Sequence, residues 1–198
     1  LHLSIRRQRQ MCIRDRIKVK NFKIFNMNNV NLSAIEETKK KILNNEIPPK
    51  REFIVEGEWI FDKHIQFMAK IEYPNGIAEI STDQPQIAGG HGNAPNPIQI
   101  CALGMISCYA TTFMTIATQM GIKIEKLKAK GYILVNMKST FDIEDVPPVE
   151  KILIELEIKT NANKEKIEEI RKLANKKCPA AYVIQNSVPF ESKINYEN

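Results

Sequence analysis

The strongest constraint in this 198-residue sequence is a stretch without charge. No Asp, Glu, Lys or Arg occurs between Asp83 and Lys123, in a chain that is 26% charged. Such a run belongs inside a protein or inside a membrane. It opens with Gly89-Gly90-His91-Gly92 and continues from Pro97 as a long apolar segment with Cys108 at its middle. That pattern predicts a long helix presenting a thiol. Gln99, Ser107, Gln119 and several threonines interrupt the segment, and the neighbouring segments are amphipathic strands that need a core. A helix buried on all sides is therefore expected rather than a membrane span.

The flanking segments read as follows. Leu32, Ile35, Ile42 and Leu43 fall at helical spacing over 31–44, and Ser33 with Glu36 gives a capping-box signature. Phe53, Val55, Trp59 and Phe61 alternate over 51–61, as do Ile65, Phe67, Ala69, Ile71 and Tyr73 over 64–73, which predicts two strands with one apolar face each. Asn75-Gly76 signals a hairpin whose two central residues need positive φ, and residues 77–82 complete a three-stranded meander. Residues 124–138 and 149–159 alternate in the same way. Ile167, Ile170 and Ala174 share one face of a helix over 163–177, with Cys178 on the same stripe. Pro179 closes that helix or opens the next, and the tail from Ser187 is expected to form a short strand. The order helix, three strands, long helix, two strands, helix, strand is that of an α+β domain.

The formal charge of +6 would ordinarily suggest nucleic acid or a membrane surface. Residues 6–16, RRQRQMCIRDR, resemble a translated sequencing adapter, so residues 1–26 are expected to be read-through, disordered, and 27–198 a single domain. Setting aside residues 1–16 removes five Arg and one Asp, leaving 24 basic residues (29 less 5) against 22 acidic (23 less 1). A near-neutral domain has no electrostatic claim on nucleic acid. The cysteines left are Cys101, Cys108 and Cys178. Three do not make a disulfide framework, and they are expected to be thiols of a cytoplasmic protein. Cys101 is expected to be a small buried residue. His91, Cys108 and Cys178 lack the spacing of a metal site, and no metal is expected.

The sequence AEISTDQP leading into the glycine-rich loop, the Pro97 that opens the helix of Cys108, and Cys178-Pro179 after an amphipathic helix together resemble the OsmC/Ohr superfamily. These are osmotically induced and organic-hydroperoxide-resistance proteins, and the resemblance covers roughly 78–190. It implies antiparallel sheets around a long central helix, in an intertwined homodimer with active sites at its interface. It also implies thiol-dependent reduction of hydroperoxides, with Cys108 matching the peroxidatic cysteine and Cys178 the resolving one. No cofactor is implied beyond an external dithiol reductant. The chemistry is attack of a thiolate on the O–O bond, condensation of the sulfenic acid with a second thiol, and reduction of the disulfide by exchange.

The chain departs from this family at one point. Its peroxidases pair a glutamate, just after the helix-opening proline, with an arginine of the first hairpin, and that pair activates the thiolate. Ile98 and Gln99 stand at the matching positions here, and the hairpin offers Asp62, Lys63 and His64. The substitutes are Arg51, which shares strand parity with Phe53 and Val55, the hairpin residues Lys63 and His64, His91 in the glycine-rich loop, and Gln99. Cys178, just ahead of Pro179, is expected to hold its sulfur at a helix N-terminus, where the dipole favours thiolate. The alternative to a peroxidase is an OsmC-like protein that binds a small ligand or acts as a slow redox sensor.

Overall fold

Asn31 opens the first helix, α1 (Leu32–Leu43), its side chain accepting a hydrogen bond from the Ala34 N–H at 3.1 Å. Ser33 lies inside the first turn, so the cap is Asn31 and not the expected Ser33–Glu36 box; Asn is among the strongest capping residues and reaches the free amide first. The computed structural model describes residues 27–62 and 64–196. The expectations for residues 1–26 and for Lys63 lie outside these.

A meander follows: β1 (Glu56–Trp59), β2 (Phe67–Tyr73) and β3 (Gly76–Thr82), antiparallel in the order β1-β2-β3. β1 is shorter than the 51–61 alternation suggested, because only Glu56 to Trp59 pair with β2, opposite Lys70 to Phe67. The expected apolar face is also bare: Phe53, Val55, Trp59 and Phe61 are all exposed, Phe61 to 92%. Tyr73 pairs with Gly76, so the connecting turn is Pro74-Asn75, one residue earlier than expected. Proline, with φ fixed near −65°, suits the first turn position, and Gly76 begins the third strand.

From Pro97 to Gln119 runs α2, 23 residues long, started by Asn96. The Asn96 side chain accepts from the Ile98 N–H at 2.8 Å, while Gln99 Oε1 accepts from the Asn96 N–H at 2.9 Å, a reciprocal cap with Pro97 in the first turn. By length and composition α2 is long and apolar enough to cross a membrane. It packs instead against β4 (Ile124–Val135) and two later helices. Gly131 lets it approach: a Cβ there would stand 2.7 Å from Ile106 Cγ2. Burial on all sides is not what the chain achieves. Tyr109, Phe113, Ile116, Ala117 and Thr118, all in the C-terminal half, are buried, whereas Leu103 and Cys101 are exposed. β4 reaches the N-terminal half at Ala102 and Ile106, but the two later helices pack on the C-terminal half.

β4 ends at Val135, three residues short of the expected end at 138, because Asn136 caps the single turn α3 (Met137–Thr140). β5 (Val149–Thr160) pairs antiparallel with β4 as a separate two-stranded sheet. Then come α4 (Lys164–Lys177), capped by Asn163, and α5 (Pro179–Gln185). Pro179 therefore opens a helix. No strand forms after Ser187: the tail to Tyr196 is irregular, with Phe190 and Tyr196 exposed. The core is one cluster, joining Tyr109, Phe113 and Ile116 of α2 to Ile170, Ala174 and Cys178, with Ile124 and Ala181 at its edges.

Candidate active site

Ile170, Ala174 and Cys178 are spaced four apart, so one stripe of α4 faces α2 and ends in a thiol. Pro179 has no N–H and disfavours helical backbone in the residue before it, so the chain turns at Cys178, whose φ and ψ are −72° and 122°. Cys178 thus closes α4, its N–H donating to Ala174 O at 2.9 Å, and precedes α5. The turn aims its sulfur at α2, where Cys178 Sγ lies 3.5 Å from Cys108 Sγ, seventy residues away in sequence. This is contact between thiols; a disulfide would need about 2.0 Å. Cys178 is 0% exposed and Cys108 half-buried, so Cys108 is the thiol a solute can reach and Cys178 stands behind it.

Burial pushes the Cys108 thiol above its ordinary pKa, and the neighbouring Cys178 adds to the rise, while the Ala180 N–H donates to the sulfur and works the other way. Cys178 takes the N-cap position of α5, with Pro179 in the first turn, as expected. Its side chain bonds to no amide of α5, and the first-turn amide of that helix serves Cys108 instead. The reason is geometric: a sulfur turned toward α2 cannot also fold back over its own helix start. Next to Cys108, Tyr109 donates from its hydroxyl to Asn175 Oδ1 at 2.6 Å. Burial pushes this phenol up, opposed by the Arg171 guanidinium.

The glycine-rich loop is organised by Asp83, which is 0% exposed. Its Oδ2 accepts from the His91 N–H at 3.1 Å and the Asn93 N–H at 3.0 Å, and its own N–H donates to Pro95 O. Gln84 joins this loop to the helix start: its Oε1 accepts from Asn96 Nδ2 at 3.0 Å, and its N–H donates to Gln66 Oε1 at 2.9 Å. The sequence reading missed Asp83, although it is the last charged residue before the neutral run. Tyr109, Asn175 and Ala180 were missed too. Their roles arise from helix packing, and no local spacing signals them.

Among the described residues, none of the candidate activating side chains is hydrogen-bonded to either thiol. Arg51 is exposed in the irregular segment before β1 and, among the described residues, has no hydrogen-bonded or ion-paired partner; β1 does not extend far enough to turn it inward. His91 sits at the loop surface, its Nδ1 4.0 Å from Asp83 Oδ2 and its ring edge-on to His64 at 5.5 Å. Gln99 is engaged in the helix cap. Cys101 is exposed rather than buried, in the N-terminal half of α2. Among the described residues no three His, Cys, Asp or Glu side chains are grouped to hold a metal ion.

A long helix flanked by antiparallel strands, with one thiol at its middle meeting a second at a helix junction, defines an α+β dithiol protein. Residues 90–193 match the OsmC-like protein family, and the chain belongs to it. No curated protein matches the sequence significantly. Solved structures share the fold. They include an OsmC-like protein from Mycoplasma pneumoniae, 18% identical with a TM-score of 0.55, over 69% of this chain and 89% of that one. An osmotic stress induced and detoxification response protein from Psychrobacter arcticus 273-4 is 21% identical, with a TM-score of 0.52 over 68% and 90%. An organic hydroperoxide resistance protein, OsmC, from Legionella pneumophila is 18% identical, with a TM-score of 0.50 over 69% and 92%.

Proposed function

We propose that this chain is a thiol-dependent hydroperoxide reductase that uses Cys108 and Cys178. The observation that carries the reading is the 3.5 Å approach of the two sulfurs, one accessible and one fully buried. The Cys108 thiolate attacks one oxygen of a hydroperoxide, ROOH, and the O–O bond breaks. The leaving alkoxide takes a proton and departs as ROH, leaving Cys108 as a sulfenic acid. Cys178 then attacks the Cys108 sulfur: the S–O bond breaks, an S–S bond forms, and the hydroxyl leaves with the Cys178 proton as water. An external dithiol returns both sulfurs to thiols by exchange. The protein works as a homodimer in a reducing, cytoplasmic setting and needs no bound cofactor. Family membership and the hydroperoxide-resistance relative support this reading.

Burial of Cys108, with Gln99 tied up in a cap and Arg51 exposed, favours a second reading in which the same thiols respond slowly, as a redox sensor or beside a bound small ligand. Rapid mixing with cumene hydroperoxide and with hydrogen peroxide separates the two. A peroxidase consumes one equivalent with a mapped Cys108–Cys178 disulfide. Cys178→Ser stops at a sulfenic acid that dimedone traps, and Cys108→Ser is inert. If Cys108 reacts no faster than a free thiol, the peroxidase reading falls and the slow sensor stands.

A further inference from the structure

We infer that Tyr109 and Asn175 form a clamp that sets the approach of Cys108 to Cys178, making Tyr109 a positioning residue for the disulfide-forming half of the reaction. The inference rests on the dithiol redox reading above. Phe113, Ile116 and Ala117 of α2 meet Ile170 and Ala174 of α4 through apolar contact, which is non-directional and leaves the helices free to shift slightly against one another. Against that background the Tyr109 hydroxyl, donating to Asn175 Oδ1 at 2.6 Å, is, among the described residues and apart from the thiol contact at the end of α4, the one side-chain hydrogen bond between α2 and α4. Its position matters more than its existence. On α2 it is fixed to the residue after Cys108, and on α4 to the residue three before Cys178, one turn away on the same helix end. Asn175 is held from the α5 side as well, where Gln185 Nε2 reaches Asn175 O at 3.5 Å and Ala181 O at 2.9 Å. Asn175 thus links the three helices that carry or border the thiols, its side chain bonded to α2 and its carbonyl to α5.

The sulfurs stand at 3.5 Å, and closing to about 2.0 Å takes rotation of the two side chains together with a small approach of α2 and the α4–α5 turn. The resolving step is Cys108–SOH + Cys178–SH giving Cys108–S–S–Cys178 + H2O, after a hydroperoxide has supplied the oxidising equivalent. A clamp that restricts the helix pair raises the effective concentration of Cys178 at the Cys108 sulfur. It leaves the first attack alone, since Tyr109 faces α4 and is buried away from the accessible side of Cys108.

Two measurements test the clamp. In rapid mixing with cumene hydroperoxide, Tyr109→Phe is expected to oxidise Cys108 within about twofold of the parent rate, while disulfide formation slows at least about tenfold and dimedone-trapped Cys108 accumulates. The second measurement uses no hydroperoxide: equilibration of the Cys108–Cys178 pair with a glutathione buffer reads the effective concentration directly. It is expected to drop about tenfold in Tyr109→Phe and in Asn175→Leu, and no further in the double variant, as for a shared bond. Thermal melting of the reduced proteins checks that each variant folds. Unchanged disulfide formation and an unchanged glutathione equilibrium in folded Tyr109→Phe would overturn the clamp while leaving the peroxidase intact. A parent protein inert to hydroperoxide, with the glutathione equilibrium still shifted in the variants, would remove the peroxidase and keep the clamp.

Discussion

In the proposed reaction Cys108 carries the chemistry, and its surroundings set the pH at which it would work. Burial is the larger influence and raises its pKa, against a single opposing amide from Ala180. An ordinary thiol near ~8.5 is already only a few per cent thiolate at neutral pH, and Cys108 is less so. Its rate of alkylation by iodoacetamide is therefore expected to climb about tenfold per pH unit through neutrality and to keep rising where a free cysteine levels off. A plateau at or below the free-thiol pH would contradict the raised pKa. The same shift bears on stability. A thiol whose folded pKa is raised contributes stability that is fully present below its unfolded pKa and is lost as pH rises through the folded one. The alkaline limb of the melting profile should accordingly flatten in Cys108→Ser. None of this was legible from residue types alone. Cys108 stood out through its place in the neutral run, but its degree of burial and its amide partner come from α5, seventy residues on.

Among the elements, the loop from Asp83 to Asn96 decides where α2 begins. A buried carboxylate binds two loop amides, and a helix cap follows directly after it. Gly90 makes this possible: a Cβ there would lie 2.0 Å from Gln84 O and 2.8 Å from Asp83 Oδ1. The nearer atom is backbone and cannot swing aside, so Gly90→Ala is expected to cost about 1–3 kcal/mol. For a domain of this size that lowers the melting temperature by roughly 2–4 °C per kcal/mol. A variant that melts with the parent protein would show that the loop shifts freely. The sequence supplied much of this level. Alternation located β2, β4 and β5, the hairpin signal located β3, the charge-free run located α2, and the 3.6-residue period located α1 and α4. It failed at β1, where the apolar alternation outran the pairing partners, and at the 74–75 turn, where the proline outweighed the Asn-Gly signal.

At the scale of the molecule, the meander β1–β3 finds no layer to cover it among the described residues. Trp59, Ile77 and Phe61 lie exposed, as does Leu103 on the N-terminal half of α2. A three-stranded sheet needs its apolar face packed to be stable, and exposed apolar surface on this scale marks an interaction site. The homodimer proposed above supplies that cover. Sedimentation is expected to return twice the 22.7 kDa chain mass. Trp59 is the single tryptophan, so its emission should shift to the red on dilution to monomer, and Trp59→Asp should favour the monomer. A stable monomer at micromolar concentration, with tryptophan emission independent of dilution, would leave the exposed faces without this partner.

The sequence by itself determined the kinds of elements and most of their order, because periodicity, capping residues and prolines act over a few neighbouring positions. The charge-free run fixed that a long apolar helix would exist. Only the tertiary structure decided how that helix is used. Packing against β4, α4 and α5 buries its C-terminal half and leaves Cys101 and Leu103 of the other half exposed. The turn at Pro179 puts Cys178 behind Cys108 and aims a helix amide at the accessible sulfur. Gln99, a candidate for activating the thiol, is spent on the cap of α2. These outcomes depend on contacts between residues dozens of positions apart, where burial, rather than local spacing, sets the geometry.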